Sequence, residues 1–125
     1  SMNYRSVVVL GTATLVEATP GDRIAHEEVF GPVAALIPFA DEAEAIRIAN
    51  DSNYGLSGSI WTSNGGRALR VARAIETGVL SINSNSSVRP ATPFGGFKQS
   101  GFGRELGMHA LEGYSEVKNV FYSTE

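Results

Sequence analysis

The sequence predicts an α/β fold built on parallel strands, and three observations carry this. β-Branched and apolar runs alternate with helix-patterned segments along the chain. The two clearest helix patterns open on residues that cap helices, Asp41 and Asn64. The composition, 42% apolar and 18% charged, describes a globular chain with an ordinary core rather than a disordered one.

Residues 6–10 (SVVVL) are a β-branched run and predict a strand, which 12–17 continues or pairs with. Thr19-Pro20-Gly21-Asp22 is turn chemistry, because proline presets φ and glycine tolerates positive φ. Residues 33–39 read as a buried strand ending near Pro38. The clearest helix spans 41–53: Asp41 caps it, and Glu44, three residues on, completes a capping box. Ala45, Ile46 and Ala49, with Ile48, supply its buried face. Residues 58–62 (GSIWT) predict a short strand. Asn64 caps a second helix reaching Glu76, with Leu69, Ala72 and Ile75 on one stripe, and Gly78 stands where a left-handed C-cap belongs.

Residues 79–83 (VLSIN) are another strand. The segment 84–103 is rich in Gly, Ser and Pro and too long for a simple connector, which marks it as functional or disordered. A short helix over 104–112 and a last strand over 116–123 complete the chain, read as a single domain of 125 residues. Strands alternating with helices imply parallel pairing with right-handed crossovers.

Several function classes fall away on composition. Net charge is −3 and the basic residues are scattered, so no nucleic-acid surface is expected. No apolar run approaches the roughly 20 residues of a membrane span, and no signal-peptide pattern is present. There is no cysteine, which removes disulfides, thiolate metal sites and cysteine nucleophiles from these residues and fits a cytoplasmic setting. His26 and His109 are isolated and read as surface or helix histidines, so no metal is expected. Gly55-Leu56-Ser57-Gly58-Ser59 lacks the closing glycine of a nucleophile elbow, which argues against a hydrolase. Gly101, Gly103 and Gly107 lack phosphate-loop spacing and read as turn and close-packing positions.

Three segments carry a family resemblance. They are Glu27-Glu28-Val29-Phe30-Gly31-Pro32-Val33, then Asn50-Asp51-Ser52-Asn53-Tyr54-Gly55-Leu56, then Pro93-Phe94-Gly95-Gly96-Phe97-Lys98-Gln99-Ser100-Gly101. The last is followed by Gly103-Arg104-Glu105-Leu106-Gly107 and Tyr114-Ser115-Glu116-Val117-Lys118. In this order the chain resembles the carboxy-terminal portion of NAD(P)-dependent aldehyde dehydrogenases, over about residues 14–122. Residues 3–13 do not look like that family's lead-in. The resemblance implies part of a three-layer parallel sheet with flanking helices over 14–112, and an oligomerisation strand over 113–125 through which the chain forms a homo-oligomer.

The family oxidises an aldehyde to a carboxylic acid with NAD or NADP, using a cysteine nucleophile and a glutamate base. In family members both lie upstream of the matched portion. The resemblance therefore implies no catalytic residue here, a chain inactive by itself, and no cofactor held by it alone. A serine is no cheap substitute, because its hydroxyl is a weak nucleophile without a base.

The remaining roles are also implied by the resemblance. Glu28 resembles the acceptor for the nicotinamide ribose hydroxyls, against the plainer reading of a solvated acid; Glu27 beside it reads as structural. Phe30 resembles the aromatic near the nicotinamide, against core packing. Phe94 resembles a residue lining the aldehyde pocket, against a loop anchor. Residues 84–92 occupy the substrate-variable place, and their polarity, with Arg89, points to a polar or anionic aldehyde. Lys98, Arg104, Glu105 and Lys118 resemble structural positions, and Arg104 and Glu116 resemble bridge partners near subunit contacts. The alternative function is a non-catalytic oligomerising or interaction module from a truncated gene. A residual nucleotide binder ranks below both, because Glu28 and Phe30 alone rarely offset the ordering cost of a large ligand.

Overall fold

The computed structural model describes residues 12–125, so the strand expected at 6–10 lies outside the described residues. Contacts group the chain into two compact units, Ser1–Ser52 and Asn53–Glu125.

In the first unit the order is β1 (Thr14–Glu17), α1 (Arg23–His26), β2 (Val33–Leu36) and α2 (Glu42–Asn50). β1 and β2 pair in parallel, with Thr14 opposite Val33 and Glu17 opposite Leu36. Parallel partners need the chain to cross back between them, and the segment carrying α1 does this. α1 has four residues, too few to leave a periodic signal, and the sequence reading omits it. The Thr19–Asp22 turn forms as expected: the Asp22 N–H donates to the Thr19 carbonyl at 3.1 Å. Asp22 Oδ2 also accepts from the Thr19 N–H at 2.6 Å and from its hydroxyl at 2.9 Å. These two donors hold the Asp22 carboxyl below the usual carboxylate range.

α2 is capped reciprocally, with one change of partner. Asp41 Oδ1 accepts the Glu44 N–H at 2.8 Å, and Glu44 Oε2 accepts the Ala40 N–H at 2.7 Å. The box thus closes one residue ahead of the cap. The helix ends at Asn50, three residues short of the expected stop, and Ala49 faces out while Ile48 is half-buried.

The second unit contains β3 (Tyr54–Gly55), β4 (Ser57–Ile60), α3 (Gly65–Ala74), β5 (Val79–Ile82), β6 (Phe97–Lys98) and α4 (Ala110–Gly113). β4 and β5 pair in parallel with α3 as the crossover, Ser57 opposite Val79 and Ile60 opposite Ile82. β3 pairs antiparallel with β6, which lies inside the long segment read from sequence as irregular. Asn64 accepts the Arg67 N–H at 2.9 Å and caps α3 as anticipated. The covered stripe is Ala68, Val71, Ala72 and Ile75, the i, i+3, i+4, i+7 pattern; Leu69 faces solvent, contrary to the sequence reading.

Gly78 does not have positive φ, and α3 ends on Ile75 in extended geometry, so the expected glycine C-cap is absent. Gly78 is instead a close-approach glycine. A Cβ there would overlap the Gly95 carbonyl oxygen and lie 2.7 Å from the Gly95 carbonyl carbon. Asn83 extends the β4–β5 ladder beyond its last backbone pair. Its N–H donates to the Ile60 carbonyl at 2.8 Å, while its side-chain amide accepts the Thr62 N–H and donates to the Thr62 carbonyl, each at 2.9 Å.

The α/β character and the parallel pairs agree with expectation. The continuous sheet layer does not form: the described residues make three separate two-stranded sheets, one of them antiparallel. The helix expected over 104–112 shrinks to α4, because Leu106 and Gly107 both take positive φ, which breaks a right-handed helix. Residues 115–125 form no strand, since no other described segment offers them a backbone partner. The expected ordinary core is also missing. The buried apolar side chains among the described residues are Ala18, Ala68 and Val79, while Phe39, Trp61 and Phe121 are exposed. No helix among the described residues is long and apolar enough to cross a membrane.

Candidate functional site

Two groups of sequence-selected residues occupy separate units. In the first unit, Glu28 and Phe30 lie in the connection from α1 to β2. A tight turn follows, in which the Gly31 N–H donates to the Val29 carbonyl at 2.9 Å and the Val33 N–H to the Gly31 carbonyl at 2.8 Å. Glu27 is tied back to Arg23 by bonds of 3.0 and 2.6 Å from Nε and Nη2. This pairing lowers the Glu27 carboxyl and raises the Arg23 guanidinium from their ordinary values. Glu28 is exposed and has no partner among the described residues, and the Phe30 ring is 93% exposed.

A carboxylate without a partner among the described residues keeps its oxygens open to donors, and an uncovered ring keeps a face open to contact. His26, close to them in sequence, lies 2.6 Å through Nε2 from the Pro20 carbonyl, which gives it a helix-anchoring role.

In the second unit the glycine-rich loop forms one built arrangement. Phe94 and Glu105 exchange two backbone hydrogen bonds, each 2.7 Å, so Phe94 is held where the loop closes on itself. Arg104, the neighbour of Glu105, donates through Nη1 to the Gly96 carbonyl at 3.0 Å and to the Gly103 carbonyl at 2.6 Å. Its guanidinium carbon lies 5.4 Å from the centre of the Phe97 ring. Gly95 and Gly96 are required by space. A Cβ on Gly95 would sit 2.5 Å from the Gly103 carbonyl oxygen and 2.9 Å from Arg104 Cδ, and one on Gly96 would sit 2.6 Å from Ser100 Cβ. Ser100 Oγ accepts the Gly55 N–H at 3.0 Å, tying the loop to β3.

Lys98 has φ +54 in the left-handed region, and its Nζ lies 2.8 Å from Glu76 Oε2. Phe94, Arg104 and Glu105, with Leu56, Phe102 and Tyr114, line an open cleft of about 460 Å³. The structure thus brings Phe94, Arg104 and Glu105 together. Glu116 and Lys118 lie in the exposed terminal segment, and within the chain the Arg104 guanidinium is turned onto the loop carbonyls. Arg89 is held by its own loop, donating through Nη1 to Ser86 Oγ and to the Val88 carbonyl, both at 3.0 Å.

Sequence reasoning missed Ser100, Gly78 and Glu76 as members of this arrangement. The signal for Gly78 was present as a glycine without a turn partner, but spacing alone gives no contact 17 residues away.

The comparisons agree with this geometry. The model of the aldehyde dehydrogenase family matches residues 4–120. That match takes in most of 3–13, which the sequence reading placed outside the resemblance. An aldehyde dehydrogenase of Emericella nidulans is 48% identical over 106 residues, 85% of this chain and 21% of its own length. Among solved structures, PnpE from Pseudomonas sp. WBC-3 superimposes with TM-score 0.79 at 47% identity, covering 82% of this chain and 21% of its own. A mutant of the indole-3-acetaldehyde dehydrogenase AldA from P. syringae, in complex with NAD+ and IAA, gives TM-score 0.80 at 43% identity, covering 83% and 21%. The chain thus spans about a fifth of the length of these relatives. A match running through both units, and through every glycine of the loop that holds Phe94, makes this chain a member of the aldehyde dehydrogenase family.

Proposed function

We propose that this chain is the carboxy-terminal part of an enzyme that oxidises an aldehyde to a carboxylic acid with NAD or NADP. The observation that carries the reading is the family match over 4–120 at close to half identity with relatives, in a sequence without cysteine. Glu28 and Phe30 contribute to the nicotinamide side of the cofactor site, and Phe94 to the wall of the aldehyde pocket. The bound dinucleotide supplies the hydride acceptor. The cysteine nucleophile and the glutamate base come from elsewhere in the assembled enzyme, so the chain by itself neither turns over aldehyde nor holds cofactor. The cytoplasm is the compartment assigned with this reading.

The test is the purified 125-residue chain with NAD+ or NADP+ and a panel of aldehydes. No NAD(P)H absorbance is expected, nor any saturable quenching of Trp61 fluorescence by the dinucleotide. Turnover that follows the protein through purification would overturn the reading.

A second reading, a non-catalytic oligomerising module, is favoured by one observation. Val117, Val120, Phe121 and Tyr122 in the terminal segment are exposed, Phe121 by 87%. A segment of this kind becomes ordered by pairing with another copy. A homo-oligomer through 113–125 is expected by light scattering under either reading, and a monomer at working concentration counts against both assignments of that segment.

A further inference from the structure

We infer that Arg89 and Ser86 form a seat for a carboxylate, and that this carboxylate belongs to the aldehyde itself, at the end away from the reacting carbon. The second half rests on the proposed reading of the chain as part of an aldehyde-oxidising enzyme; the seat does not. Between Glu76 and Glu105 the sequence has no acidic residue and three cations, Arg89, Lys98 and Arg104, in a chain of formal net charge −3. Lys98 is paired with Glu76, and Arg104 is turned onto loop carbonyls. Arg89 has no acidic partner among the described residues. Its guanidinium is nevertheless held: Nη1 donates to Ser86 Oγ and to the Val88 carbonyl, both at 3.0 Å. The Nε–Nη2 edge is left without a partner among the described residues, and such an edge matches the two oxygens of a carboxylate. Ser86 Oγ accepts from Arg89, so its own proton remains to be donated. The same holds for Ser84 Oγ, which accepts the Ser86 N–H at 3.1 Å. Ser84, Ser86 and Arg89 are thus linked by hydrogen bonds and end in donors, which selects an anion. Because the arginine is already held, little rotamer freedom is lost when the anion arrives.

The main chain of Arg89 is fixed as well. Its carbonyl accepts the Thr92 N–H at 3.1 Å and the Thr92 hydroxyl at 3.2 Å, which closes a turn. Beyond Arg89 the Gly107 N–H bonds the Pro90 carbonyl at 3.0 Å, and Phe94 and Glu105 exchange two bonds of 2.7 Å. Residues 90–94 are therefore laced to 105–107 at both ends. A turn spans less than about 7 Å between its end Cα atoms, and two further residues add at most about 7 Å, so Arg89 and Phe94 lie at most about 14 Å apart at Cα. A cation held at a set distance from Phe94 suits an aldehyde with an anionic far end.

Two experiments test the seat and its assignment separately. In the first, the 125-residue chain carrying isotope-labelled arginine is titrated with glutarate at constant ionic strength, with glutaramide as the uncharged control. The Arg89 Nε–H resonance, assigned by its absence in Arg89→Lys, is expected to shift saturably with glutarate and not with glutaramide. Ser86→Ala is expected to weaken that binding several-fold. Arg73, exposed on α3, is the internal reference. An Arg89 shift no larger than that of Arg73 overturns the seat. The second experiment uses the assembled enzyme with glutaric semialdehyde and pentanal. The parent enzyme is expected to prefer the charged aldehyde. In Arg89→Met that preference, as a ratio of kcat/KM values, is expected to fall about tenfold or more, the worth of one hydrogen bond to a charged group, with the loss in KM. Arg89→Lys should recover part of it, since it keeps the charge without the planar edge. A ratio unchanged in Arg89→Met, beside a saturable glutarate shift, leaves the seat standing and overturns its assignment to the substrate. An assembled protein that oxidises neither aldehyde is a failure of the proposed function, and the glutarate titration still decides the seat.

Discussion

Replacing Gly78 with alanine separates two kinds of glycine by the sign of the stability change. Were Gly78 needed for nothing but a turn, alanine at its ordinary φ would stabilise the chain. It would restrict the unfolded state and add about 0.4–1 kcal/mol. The structure dictates the opposite. The new Cβ would overlap the Gly95 carbonyl oxygen, lie 2.7 Å from its carbon and 3.2 Å from Gly96 Cα. All three are backbone atoms, which no rotamer change moves. Restoring an ordinary carbon–carbon contact requires the two backbones to part by roughly 1 Å, and overpacking of this kind costs about 1–3 kcal/mol or more. The same movement strains the Gly78 N–H to Gly55 carbonyl bond at 3.0 Å and the Val79 N–H to Leu56 carbonyl bond at 3.1 Å. The expected net loss is therefore about 2–3 kcal/mol. Urea unfolding followed by Trp61 fluorescence reads it, since Trp61 is in the same unit. Gly113→Ala is the control, because nothing lies within 4 Å of its Cβ position and its φ is not positive. A Gly78→Ala midpoint at or above that of the parent chain would refute the reasoning.

Three further outcomes are expected. Lys98 sits at φ +54, a conformation that costs a side-chain-bearing residue about 1–2 kcal/mol; Lys98→Gly should therefore be about 1 kcal/mol more stable than Lys98→Ala in urea unfolding, both having lost the Glu76 pair. Asn64→Ala should cost about 1 kcal/mol through loss of the α3 cap, while Asn64→Asp, which keeps the acceptor and favours the helix dipole, should be neutral or stabilising by the same assay. The Asp22 carboxyl is depressed by the Thr19 N–H and hydroxyl, so its contribution is complete above the ordinary carboxylate range and is lost as pH falls through the lowered value. The Thr19 amide resonance should titrate below an unperturbed aspartate, and an inflection at or above that range sinks the argument.

Local chemistry was legible where the signal is confined to a few adjacent residues. Asp41 with Glu44, Asn64, the Thr19–Asp22 turn and the β4–α3–β5 order all depend on short-range capping, turn formation or alternation. The errors share one cause, contacts between residues distant in sequence. Leu69 was placed on the covered stripe by period alone, yet Ala68 and Val71 occupy it, because side-chain volume does not reveal which face a helix presents. β6 was read as loop because its partner, β3, is only two residues long and lies more than 40 residues upstream. For the candidate site, the identities of Glu28, Phe30 and Phe94 came from motif resemblance; the bonds that hold Phe94 came from the structure.

The glycines of the loop unite these observations. A conventional core holds elements apart at side-chain distance, and its strength follows the apolar area it covers. The second unit instead brings backbone against backbone: Gly55 to Glu76, Gly78 to Gly95, and Gly95 to Gly103. Such contacts cover little apolar surface, which is why only small side chains are buried while Trp61 and Phe121 stay exposed. They do fix geometry, because backbone atoms have no rotamers through which to relax. A loop so built is suited to presenting one ring, Phe94, at a defined place, and poorly suited to stabilising a fold by itself. Both properties are what the proposed reading requires, that of a segment lining the pocket of a larger enzyme and drawing its stability from the surfaces it meets there.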